Sequence, residues 1–294
     1  MIRRGMEKSV FWLSWLMTFL FFSFAVYFIG YLLWRGLPAV GIDLVFGDVP
    51  PLQALIGNAR VFDGLLPAIA GTLYLVLLAT AIAVPVGICT GIYLAEYASS
   101  ATQVRFGFFF DILAGIPSIV IGLFGFSIAI FLHKHFSDRF GPCLVISAMS
   151  LAFLVLPYII RSTQAALATL PMSIRRTAPA LGATRLQNLI YVLLPHAMSN
   201  IISGIILAIG RCAEDTAVIM LTGVVATAGI PDSLLAQYEA LPFYIYYISS
   251  QYMDQAELNT GYGACLILLG ICTTLFLLAG LVKRRLAYRA ANKI

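Results

Sequence analysis

Charged side chains are scarce in this sequence. Asp, Glu, Lys and Arg make up 11% of the 294 residues, whereas soluble domains are about 25% charged. Hydrophobic residues make up 61%. This combination excludes an ordinary soluble domain and is typical of a polytopic membrane protein.

Enzyme signatures are also missing. The sequence has no G-x-x-x-x-G-K-[ST], so it has no P-loop for ATP, and it has no H-E-x-x-H or G-x-S-x-G. The five cysteines show no metal-ligand spacing, and we interpret them as small buried apolar residues. We therefore expect no catalytic residue, no metal site and no cofactor bound by this chain.

Long apolar runs are what the sequence does have. A helix needs about 20 apolar residues to cross a bilayer, and six stretches qualify: 10–34, 72–94, 106–132, 143–160, 196–220 and 264–282. Their composition predicts an all-α membrane protein with six transmembrane helices. The first run is too long for the apolar core of a signal peptide, so we interpret it as an uncleaved span.

The cations predict an orientation. With the N-terminus in the cytoplasm, 13 of the 18 Lys and Arg residues fall in cytoplasmic segments, and four fall in outer segments. We therefore expect an inner-membrane protein with both termini cytoplasmic, and we interpret the net charge of +5 as an orientation signal rather than a sign of nucleic-acid binding. The four outer cations are Arg35, Arg60, Lys134 and Arg139.

The longest polar interruption on the basic side is 161–195. We expect a short helix over 173–181, a tight turn at Gly182, a second short helix over 184–191, and Pro195 at the start of the next span. A stiff two-helix loop of this kind suits a membrane protein on which a soluble motor pushes.

Pro117 predicts a kink in the third span, because proline removes a backbone hydrogen bond. The N–H groups freed near Ser118 either face a passing anion or belong to a plain packing kink. We expect Asp111 to pair with Arg105, and His133 to lie in a solvated turn.

The fifth span contains an arginine, which costs about 3 kcal/mol at mid-bilayer on insertion scales. Arg211 is followed by Glu214 at three residues and Asp215 at four, both close to its helical face, and then by Thr216. The planar guanidinium matches two oxygens of an oxyanion. The group is therefore either a transient anion site facing the bundle interior or a buried ion pair that fixes helix packing.

The outer segment 222–262 is rich in tyrosine. We expect part of it to dip back as a short helix. The rest is either a docking surface or only an anchor at the membrane interface.

The basic-side loop resembles the cytoplasmic EAA loop of ABC importer permeases, whose motif is E-A-A-x3-G-x9-I-x-L-P. Residues 71–98, 114–125 and 210–216 resemble phosphate permeases in particular, the last being similar to G-R-A-x-G-E-T, and 241–249 is similar to the PstA kind of subunit rather than the PstC kind. The resemblance covers about 67–285. In the loop it is carried by Ala178, Ala180, Leu181, Gly182, Ala183, Thr184, Leu194 and Pro195.

Two departures accompany the resemblance. Arg176 and Thr177 stand where the loop motif has Glu and Ala, and Glu214 and Asp215 stand where the family's fifth span has Gly and Glu. The first departure concerns the loop position that, in this family, contacts the partner ATPase subunit. The second leaves an Arg–acid pair but adds a second negative charge near any bound anion.

The resemblance implies a type I importer permease fold with a five-helix core and an added N-terminal helix. It divides the chain into 1–66 (first helix and outer segment), 67–285 (permease domain) and 286–294 (cytoplasmic tail). The implied partners are a second, PstC-like permease subunit, two PstB-like ATPases that hold ATP and Mg, and a PstS-like protein that delivers phosphate.

The substrate path would then involve Arg211, Asp215, Glu214, Thr216, Ser118 and Pro117. Two other functions remain open on the sequence. One is a permease for a different oxyanion, such as phosphonate, sulfate or molybdate. The other is a membrane enzyme or sensor that transports nothing.

Overall fold

A computed structural model of the chain describes residues 2–51, 53, 64–136 and 141–291, with side chains between 7 and 285 within those ranges. The regular structure there is helical, apart from an isolated parallel bridge between Val224 and Tyr238. This confirms the all-α prediction. Arg60, Arg139, part of the predicted outer segment and the end of the predicted tail lie outside the described residues.

The helices are numbered here in chain order. Two π-helical turns, Tyr93–Tyr97 and Leu189–Leu193, extend α3 and join α8 to α9. The described α-helices are α1 (Ile2–Gly36), α2 (Ile42–Phe46), α3 (Leu66–Ile92), α4 (Ser100–Ala114), α5 (Ser118–His135), α6 (Leu144–Ala168), α7 (Met172–Ala180), α8 (Arg185–Asn188), α9 (Leu194–Glu214), α10 (Ala217–Thr222), α11 (Leu241–Gln251) and α12 (Gln255–Ala291).

Six of the described helical stretches are long and apolar enough to cross a membrane, as the sequence predicts. Several run further than the apolar residues alone indicated. The six spans are Glu7–Ala39, Leu66–Tyr97, Ser118–His135, Leu144–Ala168, Arg185–Glu214 and Gln255–Arg285.

The fourth span forms the centre of the bundle, and two-thirds of its most apolar window is buried. It packs closely on the second span because glycines face it: a Cβ on Gly87 would lie 2.6 Å from Ile159, and one on Gly91 would lie 2.6 Å from Thr163. The G-x-x-x-G spacing of these two glycines therefore serves close helix approach.

The first span lies at the edge of the bundle, and its most apolar window is entirely unburied. The C-terminal end of this first span contacts the last helix, where Tyr31 meets Tyr262 edge-on at 6.0 Å between ring centroids. A Cβ on Gly36 would lie 2.8 Å from the carbonyl oxygen of Tyr262. The span is thus an addition to a core formed by the other five.

The third span is broken rather than kinked. Helix α4 ends at Ala114, and α5 begins at Ser118 after an extended Pro117 with φ −58° and ψ 136°. The prediction of one helix over 106–132 is therefore wrong, because Gly115 and Pro117 together end the first helix. The prediction of a solvated turn at His133 is wrong as well, since α5 continues through His135.

Asp111 pairs with Arg161, not with Arg105. The guanidinium of Arg161 donates from Nε to Asp111 Oδ1 at 3.0 Å and from Nη2 to the carbonyl oxygen of Gly107 at 2.6 Å. The prediction of an Arg105 partner is wrong because it considered only neighbours on one helix. The contact ties α4 to α6, and α6 continues past Arg161 to Ala168.

The segment between α10 and α12 contains one short helix, α11, as expected. Before it, the carboxylate of Glu239 accepts hydrogen bonds from the backbone N–H groups of Ala228 at 2.9 Å and Gly229 at 2.8 Å. Only 6% of Glu239 is exposed, and this burial raises the pKa of its carboxyl group. Gly229 has φ +76°, a conformation that glycine adopts without strain.

The five cysteines are unpaired. Cys143 and Cys212 are buried, as expected, and Cys265 and Cys272 are half-buried. Cys89 is exposed, so the prediction of burial is wrong there.

Candidate functional site

The loop joining the fourth and fifth spans is a helix followed by a tight turn. Helix α7 covers Met172–Ala180, and Gly182 has φ +86°, which favours glycine at this position. Thr184 and Gln187 then form a capping box that begins α8. The first half of the prediction is therefore confirmed, apart from helix ends that shift by one residue.

The second half of the loop differs from the prediction. Helix α8 does not stop at Tyr191 but continues through a π-helical turn into α9, which has Pro195 in its first turn. Proline is tolerated there because its ring is compatible with the first turn and the π-turn displaces the usual hydrogen bonds. The loop and the fifth span thus form one continuous helical rod from Arg185 to Glu214.

The tip of this loop presents apolar side chains. Leu181 is 85% exposed and Tyr191 is 75% exposed, and Ala180, Gly182 and Thr184 are exposed with them. An exposed apolar group at the end of a helical hairpin is typical of a docking surface. Ala178, Ala183, Leu194 and Pro195 are half-buried.

The fifth span ends within the bundle. Helix α9 stops at Glu214, Asp215 has ψ 118°, and the six-residue helix α10 follows. The carboxylate of Asp215 accepts a hydrogen bond from the backbone N–H of Val218 at 2.9 Å. The prediction of a continuous helix over 196–220 is therefore wrong, since Asp215 leaves the helix and caps the next one.

Arg211 pairs with Glu214. Its Nη1 lies 3.1 Å from Glu214 Oε1, and the two side chains are 46% and 63% exposed. Asp215, which is only 9% exposed, makes its described hydrogen bond to the backbone instead. Of the two acids expected beside the guanidinium, Glu214 therefore forms the ion pair and Asp215 is structural.

Glu214 lines two cavities, and Arg211 lines the smaller of them. One, of 290 Å³, is lined by Tyr158, Leu207, Gly210, Arg211, Glu214 and Phe276. The other, of 450 Å³, shares Gly210, Glu214 and Phe276 and adds Thr216. Thr216 thus shares a cavity with Glu214 but not with Arg211.

Gly210 and Phe276 line both cavities and lie close together. A Cβ on Gly210 would lie 2.6 Å from the ring of Phe276, so a larger residue there would have to displace that ring. Tyr158 and Phe276 are site residues that the sequence analysis missed. They are aromatic residues in apolar spans, and nothing in their local pattern distinguishes them from lipid-facing neighbours.

The break in the third span lies against the break in the fifth. A Cβ on Gly122, one turn after Ser118, would lie 3.0 Å from the carbonyl oxygen of Ala217 and 3.0 Å from Cα of Val218. Neither Pro117 nor Ser118 lines the two cavities. These two residues therefore shape the bundle beside the cavities rather than their surface.

Comparison with known proteins agrees with this architecture. Residues 87–288 match the family of binding-protein-dependent transport system inner membrane components. A phosphate transport system permease protein PstA of Haemophilus influenzae is 31% identical over 91% of this chain and 86% of its own length. A second PstA, from Yersinia pestis, is 35% identical over 74% of this chain and 67% of its own length.

The fold matches solved ABC importers. In the bacterial alginate ABC transporter in complex with its alginate pentasaccharide-bound periplasmic protein, a chain aligns with a TM-score of 0.63 at 17% identity, over 93% of this chain and 95% of that one. At this identity the likeness concerns the fold. The chain is a multi-pass inner-membrane protein of the binding-protein-dependent transport system permease family, and it groups within that family with the proteins named PstA.

Proposed function

We propose that this chain is a permease subunit of an ATP-driven phosphate importer and forms the translocation path together with a second permease subunit. The observation that carries the proposal is Arg211, a cation on the last turn of a helix that ends inside an apolar bundle, where it lines a cavity of 290 Å³. The relatives of this chain that are named as phosphate transport permeases supply the substrate class.

The chemistry of the site suits a transient oxyanion. A guanidinium donates two parallel hydrogen bonds to a tetrahedral anion. Its ion pair with Glu214 is half-exposed, so the interaction is weak and an incoming phosphate can displace the carboxylate. Glu214 then neutralises Arg211 when no anion is bound and speeds release by competing for it.

The helix break positions this group. A continuous helix would carry Asp215 on the same face as Arg211, and the anion would meet two acids close to the guanidinium. Because Asp215 instead binds the N–H of Val218, its charge is directed toward α10. The cavity therefore keeps one acid and one cation.

The loop between the fourth and fifth spans is the part that a motor would push. Its exposed Leu181 and Tyr191 provide an apolar contact for an ATPase subunit, and the rod from Arg185 to Glu214 leads from that contact to Arg211. We place this loop and both termini in the cytoplasm, where most of the cations lie. The other face would receive the phosphate-binding protein.

The experiment is reconstitution of the chain in liposomes with the second permease subunit, the ATPase and the binding protein. Radiolabelled phosphate inside the vesicles is measured with and without ATP, in the presence of excess unlabelled phosphate, sulfate, molybdate or a phosphonate. The proposal predicts ATP-dependent uptake that only unlabelled phosphate suppresses. ATP-dependent uptake suppressed equally by another oxyanion would contradict the assigned substrate.

A further inference from the structure

The inner loop, which joins the fourth and fifth spans, is attached to the bundle at one further place besides its own two ends. Arg175 Nη1 on α7 donates to Glu96 Oε1 at 2.9 Å, and Glu96 lies in the π-helical turn Tyr93–Tyr97 at the end of the second span. The other terminal nitrogen, Nη2, donates to the carbonyl oxygen of Leu167 at 2.6 Å, in the last turn of the fourth span. One side chain therefore connects the loop helix to the ends of two spans.

The connection is protected from water. The side chains of Arg175 and Glu96 are 21% and 17% exposed, in contrast to the half-exposed Arg211 pair. Charge-assisted hydrogen bonds are stronger in such surroundings. The apolar cluster around it is formed by Ala166, Leu167, Leu189, Leu193, Ala197 and Ile201.

The second half of the loop holds the same residue. Asn188, which is 7% exposed, donates from Nδ2 to the carbonyl oxygen of Arg175 at 3.1 Å. Both halves of the hairpin are thus fixed to Arg175, and through it to Glu96. The neighbouring Arg176 is exposed, so this arrangement belongs to Arg175 alone.

The second span can transmit what it receives. Gly87 and Gly91 seat it directly on Ile159 and Thr163 of the fourth span, so the ends of the two spans form one packed unit. A helix joined only through its chain ends can pivot when it is pushed. A helix also fixed by a partly buried ion pair moves these span ends with it, because packed elements shift as rigid bodies.

We infer that Arg175 is a positioning residue which, through its ion pair with Glu96, couples movement of the inner loop to the second span and so links ATP hydrolysis to transport. The inference rests on the proposed function. It assigns to the loop a rigid lateral connection, separate from any contact with the ATPase itself. Without the connection, the ATPase would still dock and turn over, but part of its movement would be lost in a pivoting loop.

The test uses the reconstituted complex and measures phosphate uptake and ATP hydrolysis in the same vesicles. Glu96→Gln and Arg175→Ala are expected to reduce phosphate transported per ATP by about tenfold, with ATP hydrolysis retained. The double exchange Glu96→Arg with Arg175→Glu restores part of the ratio. Arg105→Gln, which removes an exposed cation from α4, is the matched control and leaves the ratio unchanged.

The distance between the loop and the second span tests the role of the ion pair without relying on phosphate transport. Spin labels at the exposed positions Tyr97 and Thr177, in a chain whose native cysteines are replaced, report the separation of loop and second span. In wild type the separation between the labels is expected to be the same with and without ATP. In Glu96→Gln it is expected to change when ATP is added. If the wild-type complex moves no phosphate, the proposed function fails, while the distances still decide the role of the pair.

Three results would overturn the inference. One is an unchanged transport-to-hydrolysis ratio in assembled Glu96→Gln and Arg175→Ala complexes. Another is a label separation that responds to ATP in the same way in wild type and in Glu96→Gln. The third is loss of assembly that the double exchange does not restore, because the contact would then serve only the folding of the subunit.

Discussion

Arg211 and Glu214 face each other across one turn of helix, with 3.1 Å between Nη1 and Oε1, at the point where the fifth span ends. The next residue, Asp215, turns away to cap α10. The two adjacent acids thus differ in role. Glu214 balances the charge of Arg211, and Asp215 caps α10 and so stabilises the break between α9 and α10.

The first prediction concerns Glu214. The pair is half-exposed, and such pairs contribute less than about 1 kcal/mol to stability. Glu214→Gln should therefore leave the melting temperature of the purified complex unchanged. Because the competing carboxylate is gone, release of phosphate should slow, and the uptake rate should fall while bound phosphate rises. A faster uptake rate would contradict the role given to Glu214.

The second prediction concerns Asp215. Removing a helix-capping acceptor costs about 1 kcal/mol, and here the lost partner is the backbone N–H of Val218. Asp215→Ala should lower the melting temperature, whereas Asp215→Asn keeps an acceptor oxygen and should stay close to wild type. Thermal unfolding in detergent checks this. Equal effects of Ala and Asn would show that the cap is not what Asp215 contributes.

The third prediction concerns the pH dependence of stability. Burial raises the pKa of Glu239 above its ordinary 4.5, so the folded protein binds this proton more tightly than the unfolded chain. The contribution of the protonated carboxyl to stability is complete below about pH 4.5 and is lost as the pH rises through the raised pKa. Wild type should lose stability over that window.

Glu239→Gln supplies the control for this prediction. The amide carries no charge, and its oxygen still accepts from the N–H groups of Ala228 and Gly229. The variant should therefore show a flatter stability profile from pH 4.5 upward, measured by thermal unfolding at a series of pH values. Parallel profiles for the two proteins would count against a titrating Glu239.

The fourth prediction concerns helix packing. A Cβ on Gly91 would lie 2.6 Å from Cβ of Thr163 and 2.8 Å from the carbonyl oxygen of Ile160, so Gly91→Ala forces the second span away from the fourth. Overpacking of this kind costs about 1–3 kcal/mol. Gly270→Ala, where nothing lies within 4 Å, is the matched control. Similar melting temperatures for the two variants would refute the close approach.

The sequence was sufficient for the parts of the fold that depend on local composition. The six spans follow from apolar length, and the turn at Gly182 follows from residues adjacent in the chain. Pro117 signalled a disturbance of the third span, but composition could not distinguish a kink from a complete break with a new helix at Ser118.

The site was harder to predict because its partners are set by tertiary structure. Spacing of four residues placed Asp215 beside Arg211 only on the assumption of an unbroken helix, and the helix ends at Glu214. The pairs of Arg161 with Asp111 and of Arg175 with Glu96 join residues 50 and 79 positions apart. No local pattern identifies such pairs, since only the packing of the spans brings them together.

The central claim is that Arg211 binds phosphate in transit. Its most direct test is ATP-dependent uptake of phosphate by reconstituted complexes that carry Arg211→Gln or Arg211→Lys, with Arg105→Gln as the control for loss of a positive charge. Loss of a charge-assisted contact is worth about 10- to 100-fold. The account predicts such a loss of uptake in Arg211→Gln, a smaller loss in Arg211→Lys and none in Arg105→Gln, with assembly retained; wild-type uptake by a fully assembled Arg211→Gln complex would contradict it.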